Sequence, residues 1–193
     1  MSVDKNHPES NLLKWLSGIL TEQDLINFKN SIKKKPGRIT NGYKELLQGY
    51  EIESAKELIS VTENLGEQSY HGLVSALEIP FLSFCEHHFL PFFGTVDIVY
   101  EPGGYIIGIG KLARLVDYRT KRFNIQERIA EQLCSDLIEF GLAKGAFAKV
   151  KAQHMCLCYR GPKKYSSFNV VCYWSGSFLE PFKKTEIDLI LRQ

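Results

Sequence analysis

Ser83-Phe84-Cys85-Glu86-His87-His88-Phe89-Leu90-Pro91 is answered seventy positions later, counting from 83 to 153, by Gln153-His154-Met155-Cys156-Leu157-Cys158-Tyr159-Arg160-Gly161. The two segments hold three of the five cysteines and three of the five histidines in the chain. Cys85 and His88 stand three apart in a short turn flanked by apolar residues, close enough for both to reach one metal ion. Read as a strand, the second segment has a period of two that puts His154, Cys156, Cys158 and Arg160 on one face. A thiolate and an imidazole from the first segment and a thiolate from the second, Cys85, His88 and Cys156, make a Cys2His set. Three protein ligands with a fourth position open to water are the pattern of a catalytic zinc, whereas four, with Cys158 completing the shell, make a structural one. Spacing alone leaves both open. A Cys-x-x-His pair recurs by chance, and free cysteines are often small buried hydrophobes, the reading given to Cys134 and Cys172. The second Cys/His cluster is what lifts the metal reading above chance.

Outward from the first segment toward the N-terminus, the sequence from Asn11 to about Gly66 reads as helices. Leu12, Leu13, Trp15, Leu16 and Leu20 form one apolar stripe, and Thr21 is placed to cap a second helix carrying Leu25, Ile26, Phe28 and Ile32. Lys33-Lys34-Lys35 before Pro36-Gly37 marks a break and a solvated helix end. Arg38 to Leu47 and Glu53 to Asn64 are two further helical candidates. From Ala76 the texture changes to strands: Ala76 to Phe84, then Phe89 to Tyr100, then a hairpin turn at Glu101-Pro102-Gly103-Gly104 into Tyr105 to Ile109. Helices follow at Lys111 to Tyr118 and Ile125 to Phe140, strands at Ala146 to Tyr159 and Phe168 to Trp174, and a closing helix at Thr185 to Leu191. Strand pair, two helices, strand pair predicts an α+β unit at 67–193, an antiparallel sheet with helices on one face, preceded by a helical extension at 1–66.

A chain of 193 residues with 44% hydrophobic and 24% charged residues has the composition of an ordinary globular protein able to bury a core. A formal net charge of +2 argues for neither a nucleic-acid nor a membrane partner. No apolar run is long enough to span a bilayer, and the polar first residues lack a signal-peptide core. An odd number of cysteines, with clusters beside histidine, favours a reducing compartment and metal chemistry over disulfides. The expectation is a soluble cytoplasmic protein.

Cys85-Glu86-His87-His88, Gly108-Ile109-Gly110-Lys111-Leu112-Ala113-Arg114, Gln126-Glu127-Arg128 and His154-Met155-Cys156 followed by Arg160-Gly161, in this order and spacing, resemble GTP cyclohydrolase I. The resemblance runs from roughly Pro36 to the C-terminus. It implies the tunnelling fold, in which subunits join their sheets into a barrel and two rings stack into a toroidal homodecamer. It implies the reaction as well: GTP and water giving 7,8-dihydroneopterin triphosphate and formate, the entry to folate and pterin biosynthesis. By resemblance Cys85, His88 and Cys156 are the Zn2+ ligands, and His87 and His154 the acid–base histidines. An imidazole that titrates near neutrality suits protonation of guanine N7 and the later proton shuttling. Gln126 and Glu127 match the substrate-binding positions, with the two Glu127 oxygens suited to the N1–H and 2-amino donors of guanine. Lys111, Arg114 and Arg160 match a triphosphate clamp; Glu86 matches no role.

Three departures stand out. Gly110 replaces a serine of the family pattern, Lys35-Pro36-Gly37-Arg38 replaces Thr-Pro-x-Arg, and Ser166 to Trp174 is bulkier and more apolar than the usual Ser/Thr-rich strand. They leave two alternatives in view. One is a divergent paralogue that opens the imidazole ring of GTP or another purine nucleotide without completing the pterin. The other is a non-catalytic zinc- or nucleotide-binding module.

Overall fold

The structure, a computed structural model, describes residues 8–59, 63–64 and 70–192. The chain divides into two compact units, Met1–Leu47 and Gln48–Gln193. In the first, helices α1 (Pro8–Leu16), α2 (Glu22–Lys34) and α3 (Arg38–Leu46) follow one another. Thr21 caps α2 as its sequence predicts, its hydroxyl oxygen accepting from the Asp24 amide at 3.2 Å. Glu22 and Asp24 in the first turn and Lys33 and Lys34 in the last complement the helix dipole. The break falls at Gly37, which takes φ +80°, a left-handed conformation that glycine adopts without a Cβ penalty. Its amide donates to Glu9 Oε2 at 3.2 Å.

The second unit opens with a 3-10 turn, Gln48–Glu51, and continues through α4 (Ala55–Ile59) and β1 (Glu63–Asn64). Then come β2 (Val74–Cys85), β3 (Pro91–Glu101), β4 (Tyr105–Ile106), α5 (Ile109–Thr120), β5 (Phe123–Asn124) and α6 (Gln126–Glu139). The unit closes with β6 (Gly145–His154), the single helical turn α7 (Met155–Cys158), β7 (Asn169–Gly176) and α8 (Pro181–Ile190). The main sheet runs β5-β2-β3-β6-β7, antiparallel except where β5 lies parallel to β2 through Phe84↔Phe123 and Cys85↔Asn124.

Alternation along the strands divides the apolar residues between two faces. Phe92, Val96, Ile98 and Tyr100 of β3 and Ala146, Ala148, Val150 and Ala152 of β6 share one core with Leu112, Leu115 and Val116 of α5 and Ile129, Leu133 and Leu137 of α6. Alanine at three of these four inward positions of β6, with Val150 the fourth, lets α6 lie close against the sheet. The opposite face is covered near one end by a smaller cluster, Val99, Phe147, Phe178 and Ile187, the last from α8. Helices therefore pack on both faces, with α5 and α6 holding the larger core. A buried pair joins these two helices: Arg119 Nε and Nη2 donate to Asp136 at 2.6 and 2.5 Å, with Asp136 only 2% exposed. Burial pushes the Asp136 carboxyl up, and the guanidinium opposes that shift.

Besides the helices, which lie on both faces of the sheet rather than the one expected, three sequence expectations are corrected. Glu101-Pro102-Gly103-Gly104 does not close a hairpin, because Glu101 already pairs with Gly145 of β6, and Tyr105–Ile106 pairs instead with β1 in a separate two-stranded sheet. The helix expected to reach Asn64 does not, since Glu63–Asn64 form β1, while α4 covers Ala55–Ile59 and residues 60–62 lie outside the described residues. The strand expected to run to Tyr159 ends at His154. The third matters most for the site. His154 pairs with Phe92, one residue from the start of β3, and Asn169 at the start of β7 pairs with Ala152. Past His154 the ladder has no partner, so the backbone curls into α7 and Tyr159 N–H closes the turn on Met155 O at 3.1 Å. Among the described residues no helix is long and apolar enough to cross a membrane.

Candidate metal centre and active site

The turn joining β2 to β3 builds the first half of the site. The Cys85 amide donates to Leu90 O at 2.8 Å, and Cys85 O accepts from His88 and Phe89 amides at 3.2 and 2.9 Å. That helical turn is why a spacing of three places the Cys85 thiol and the His88 imidazole on the same side. Phe89 takes φ +58°, and its ring rests on Phe123 of β5 with centroids 4.9 Å apart. The second half comes from α7, where the helical turn, rather than a continued strand, carries Cys156 toward the first segment. Cys158, two residues on, is fully buried.

Ligand atoms of Cys85, His88 and Cys156 all lie within 4.8 Å of one another, the one such group of three among the described residues. Cys85 Sγ and His88 Nδ1 are 3.5 Å apart. Tetrahedral zinc with bonds of about 2.3 Å to sulfur and about 2.05 Å to nitrogen separates two such atoms by about 3.6 Å. Burial pushes the Cys156 thiol up, the adjacent Cys85 sulfur pushes it further, and Arg160 opposes both. A thiol raised in this way is ionised readily once a cation lies beside it. The donor set therefore fits zinc, with His88 exposed and Cys85 at 6% exposure.

Around this group the structure collects other predicted residues. His87 Nδ1 lies 3.9 Å from Cys85 Sγ, and the His87 ring stands edge-on to His88 with centroids 6.2 Å apart. His154 stacks flat on Phe92, with centroids 4.5 Å apart and 2° between planes, and its Nε2 is 2.9 Å from Gln126 Oε1. Burial pushes the His154 imidazole below its usual range, with the Glu127 carboxylate acting against that shift. Glu127 is exposed in the first turn of α6. Gln126 beside it is 3% exposed, its amide nitrogen donating to Val150 O at 2.7 Å and Asn169 O at 3.0 Å. Lys111 and Arg114 stand elsewhere, on α5, where Arg114 lines a cavity with Ile52, Leu58 and Tyr118. Arg160 is exposed just past α7.

Two features escaped the sequence. Glu86, to which no role was given, makes a two-pronged ion pair with Arg128 at 2.7 and 3.0 Å, linking the metal-binding turn to α6. The guanidinium holds the Glu86 carboxyl below its usual value. Asn124 is the second: its Oδ1 accepts from Ile125 N–H at 2.9 Å while its backbone carbonyl accepts from Glu86 N–H at 3.3 Å. One buried residue thus fixes both the start of α6 and the start of the turn. Their signal in the sequence was only a pair of opposite charges and an asparagine before a helix.

A family model described as GTP cyclohydrolase I matches residues 14–189. Among curated relatives, the GTP cyclohydrolase 1 of Fusobacterium nucleatum is 34% identical over 168 residues, covering 86% of this chain and 88% of its own. That of Clostridium perfringens is 36% identical over 152 residues, 79% of this chain and 80% of its own. That of Rickettsia felis is 36% identical over 172 residues, 89% of this chain and 86% of its own.

Proposed function

The chain belongs to the GTP cyclohydrolase I family of hydrolases, and we propose from that premise that it converts GTP and water to 7,8-dihydroneopterin triphosphate and formate. The observation that carries the reading is the Cys85, His88, Cys156 group, whose donor chemistry and spacing fit a three-ligand zinc. When bound, zinc supplies Lewis acidity and activates water at neutral pH. The chain's own residues supply binding and proton transfer. His87 and His154 give and take protons at the guanine imidazole ring as it opens, the general acid and base task that imidazole serves most often. Glu127 receives the N1–H and 2-amino donors of guanine, and Lys111, Arg114 and Arg160 receive the triphosphate. The test is zinc-loaded protein with GTP, read for pterin fluorescence after oxidation and, separately, for formate. Both products support the reading; formate alone moves the paralogue ahead, and neither moves the non-catalytic module ahead.

Assembly into a barrel and a homodecamer belongs to the same proposal. It is supported by β7, which ends the sheet with no further strand beside it among the described residues, and by Val170 and Tyr173 exposed on that strand. A cytoplasmic location is in keeping with five free cysteines. We also propose that residues 1–66 form a helical extension to a catalytic tunnelling-fold domain at 67–193.

Glu127→Gln keeps size but turns one acceptor into a donor facing the donors of guanine, at a cost of about 1–3 kcal/mol. GTP turnover efficiency should fall about 5- to 150-fold with zinc content unchanged. Unaltered GTP binding in this variant would place base recognition elsewhere.

Gly110 stands where the family pattern has a serine. A Cβ built at this position meets nothing within 4 Å, and its φ lies outside the left-handed range, so a serine is accommodated. The hydroxyl would add a contact worth about 0.5–1.5 kcal/mol. Gly110→Ser is expected to speed pterin formation by up to about tenfold, and more than it speeds formate release. Equal changes in the two products, or a slower variant, would favour the paralogue.

A further inference from the structure

We propose that Gln126 is a positioning residue that holds the proton of His154 on Nε2 and leaves Nδ1 as the imidazole's proton acceptor. Val150 O and Asn169 O accept hydrogen bonds and cannot donate them, and both face the same terminal nitrogen of Gln126, at 2.7 and 3.0 Å. The amide of Gln126 therefore has one possible orientation, with both N–H protons engaged by the backbone and Oε1 turned the other way. Oε1 is an acceptor only, and 2.9 Å from it lies His154 Nε2. A lone pair on Nε2 would face a lone pair on Oε1. The proton of a neutral His154 must then sit on Nε2, and the ring's remaining lone pair is on Nδ1.

The ring is held in plane and against flipping. Phe92, fully buried and paired with His154 across β3 and β6, lies parallel beneath it at 4.5 Å. A half-turn about the Cβ–Cγ bond would bring Cε1 in place of Nε2 and leave Oε1 without a donor. Burial of Gln126 at 3% exposure makes that loss costly. Gln126 is the first residue of α6, so one side chain passes the register of β6 and β7 to the imidazole through three hydrogen bonds. All three of those partners belong to the protein. Gln126 therefore acts through His154 rather than by touching substrate, unlike Glu127, which is exposed beside it.

The catalytic consequence rests on the proposed role of His154 in proton transfer; the tautomer does not. The first measurement is the 15N spectrum of the His154 ring in the folded protein, at a pH where the imidazole is neutral. A single tautomer with a slowly exchanging Nε2–H is expected. The Nδ1–H form, or a rapid average of the two, overturns the proposal whatever the enzyme does. The second is Gln126→Met, which keeps the length of the side chain and removes the amide. In the zinc-loaded variant the ring is expected to average between tautomers, and kcat for GTP to fall about tenfold or more, with KM near that of the parent. A rise in KM at unchanged kcat would make Gln126 a substrate contact and overturn the positioning role. Should Met at 126 prevent folding, the parent spectrum still decides. Should the parent not turn over GTP, the functional reading fails while the tautomer stands or falls by its own spectrum.

Discussion

Cys85→Ala is expected to lose stoichiometric zinc and with it GTP turnover, while Cys158→Ala keeps both. The contrast follows from where the two sulfurs lie. Cys85 is the one ligand that belongs to both halves of the site's geometry: its carbonyl closes the turn that positions His88, and its thiol meets Cys156. Replacing it leaves two ligands, one of them the exposed His88. Loss of a partner that merely hydrogen-bonds a ligand typically costs about 10- to 100-fold in metal affinity or activity, so loss of a ligand should exceed about 100-fold. Cys158 sits fully buried at the end of α7 and outside the metal group, so its sulfur is packing. Its removal should cost about 1 kcal/mol of stability and leave zinc content at one per chain. Metal analysis of the two purified variants beside the parent decides the matter. Zinc lost from Cys158→Ala would restore the four-ligand structural site.

The first half of the candidate metal group was legible because it depends on local spacing. Three residues of turn geometry put Cys85 beside His88, and no long-range packing is needed to see it. Cys156 was reached for a different physical reason from the one its sequence suggests. Alternation on a continued strand would have put Cys156 and Cys158 on one face, whereas the ladder ends at His154 and a helical turn separates them. Strand length depends on what lies alongside. The partner of β6 begins at Pro91, and nothing within 150–160 says so. The same limit hid the partner of Tyr105–Ile106, which comes from β1 rather than from the adjacent strand. Helices were easier: Thr21 before Glu22 and the four-residue repeat of Ile125, Ile129, Leu133 and Leu137 are statements about neighbours in sequence. Gln126 shows the other limit. Its three partners come from β6 and β7, 24 to 43 positions away, so a glutamine beside a glutamate looks like part of a polar pocket until the sheet is built.

The two histidines outside the metal set should behave as one unit. His154→Phe keeps an aromatic ring on Phe92 and removes both nitrogens, so the packing that stabilises the end of β6 survives while proton transfer does not. A positioned acid–base group contributes about 10²–10⁴-fold, and kcat for GTP should fall by that order, with zinc still bound. His87→Ala should do the same, since His87 is exposed and its removal opens no cavity in the core. Their combination is the sharper experiment. Residues that serve one proton transfer are strongly non-additive, because once either is gone the step is already lost. If His87 and His154 act in the same transfer, the double variant should be about as slow as the slower single one. If each serves a separate step, the rate still falls only as far as the slower step dictates, but single-turnover kinetics then show the two variants stalled at different points, one before formate release and one after it. Full multiplication of the two losses, with both variants stalled at the same point, would mean independent contributions to a single barrier, and would remove the shared proton path from the mechanism.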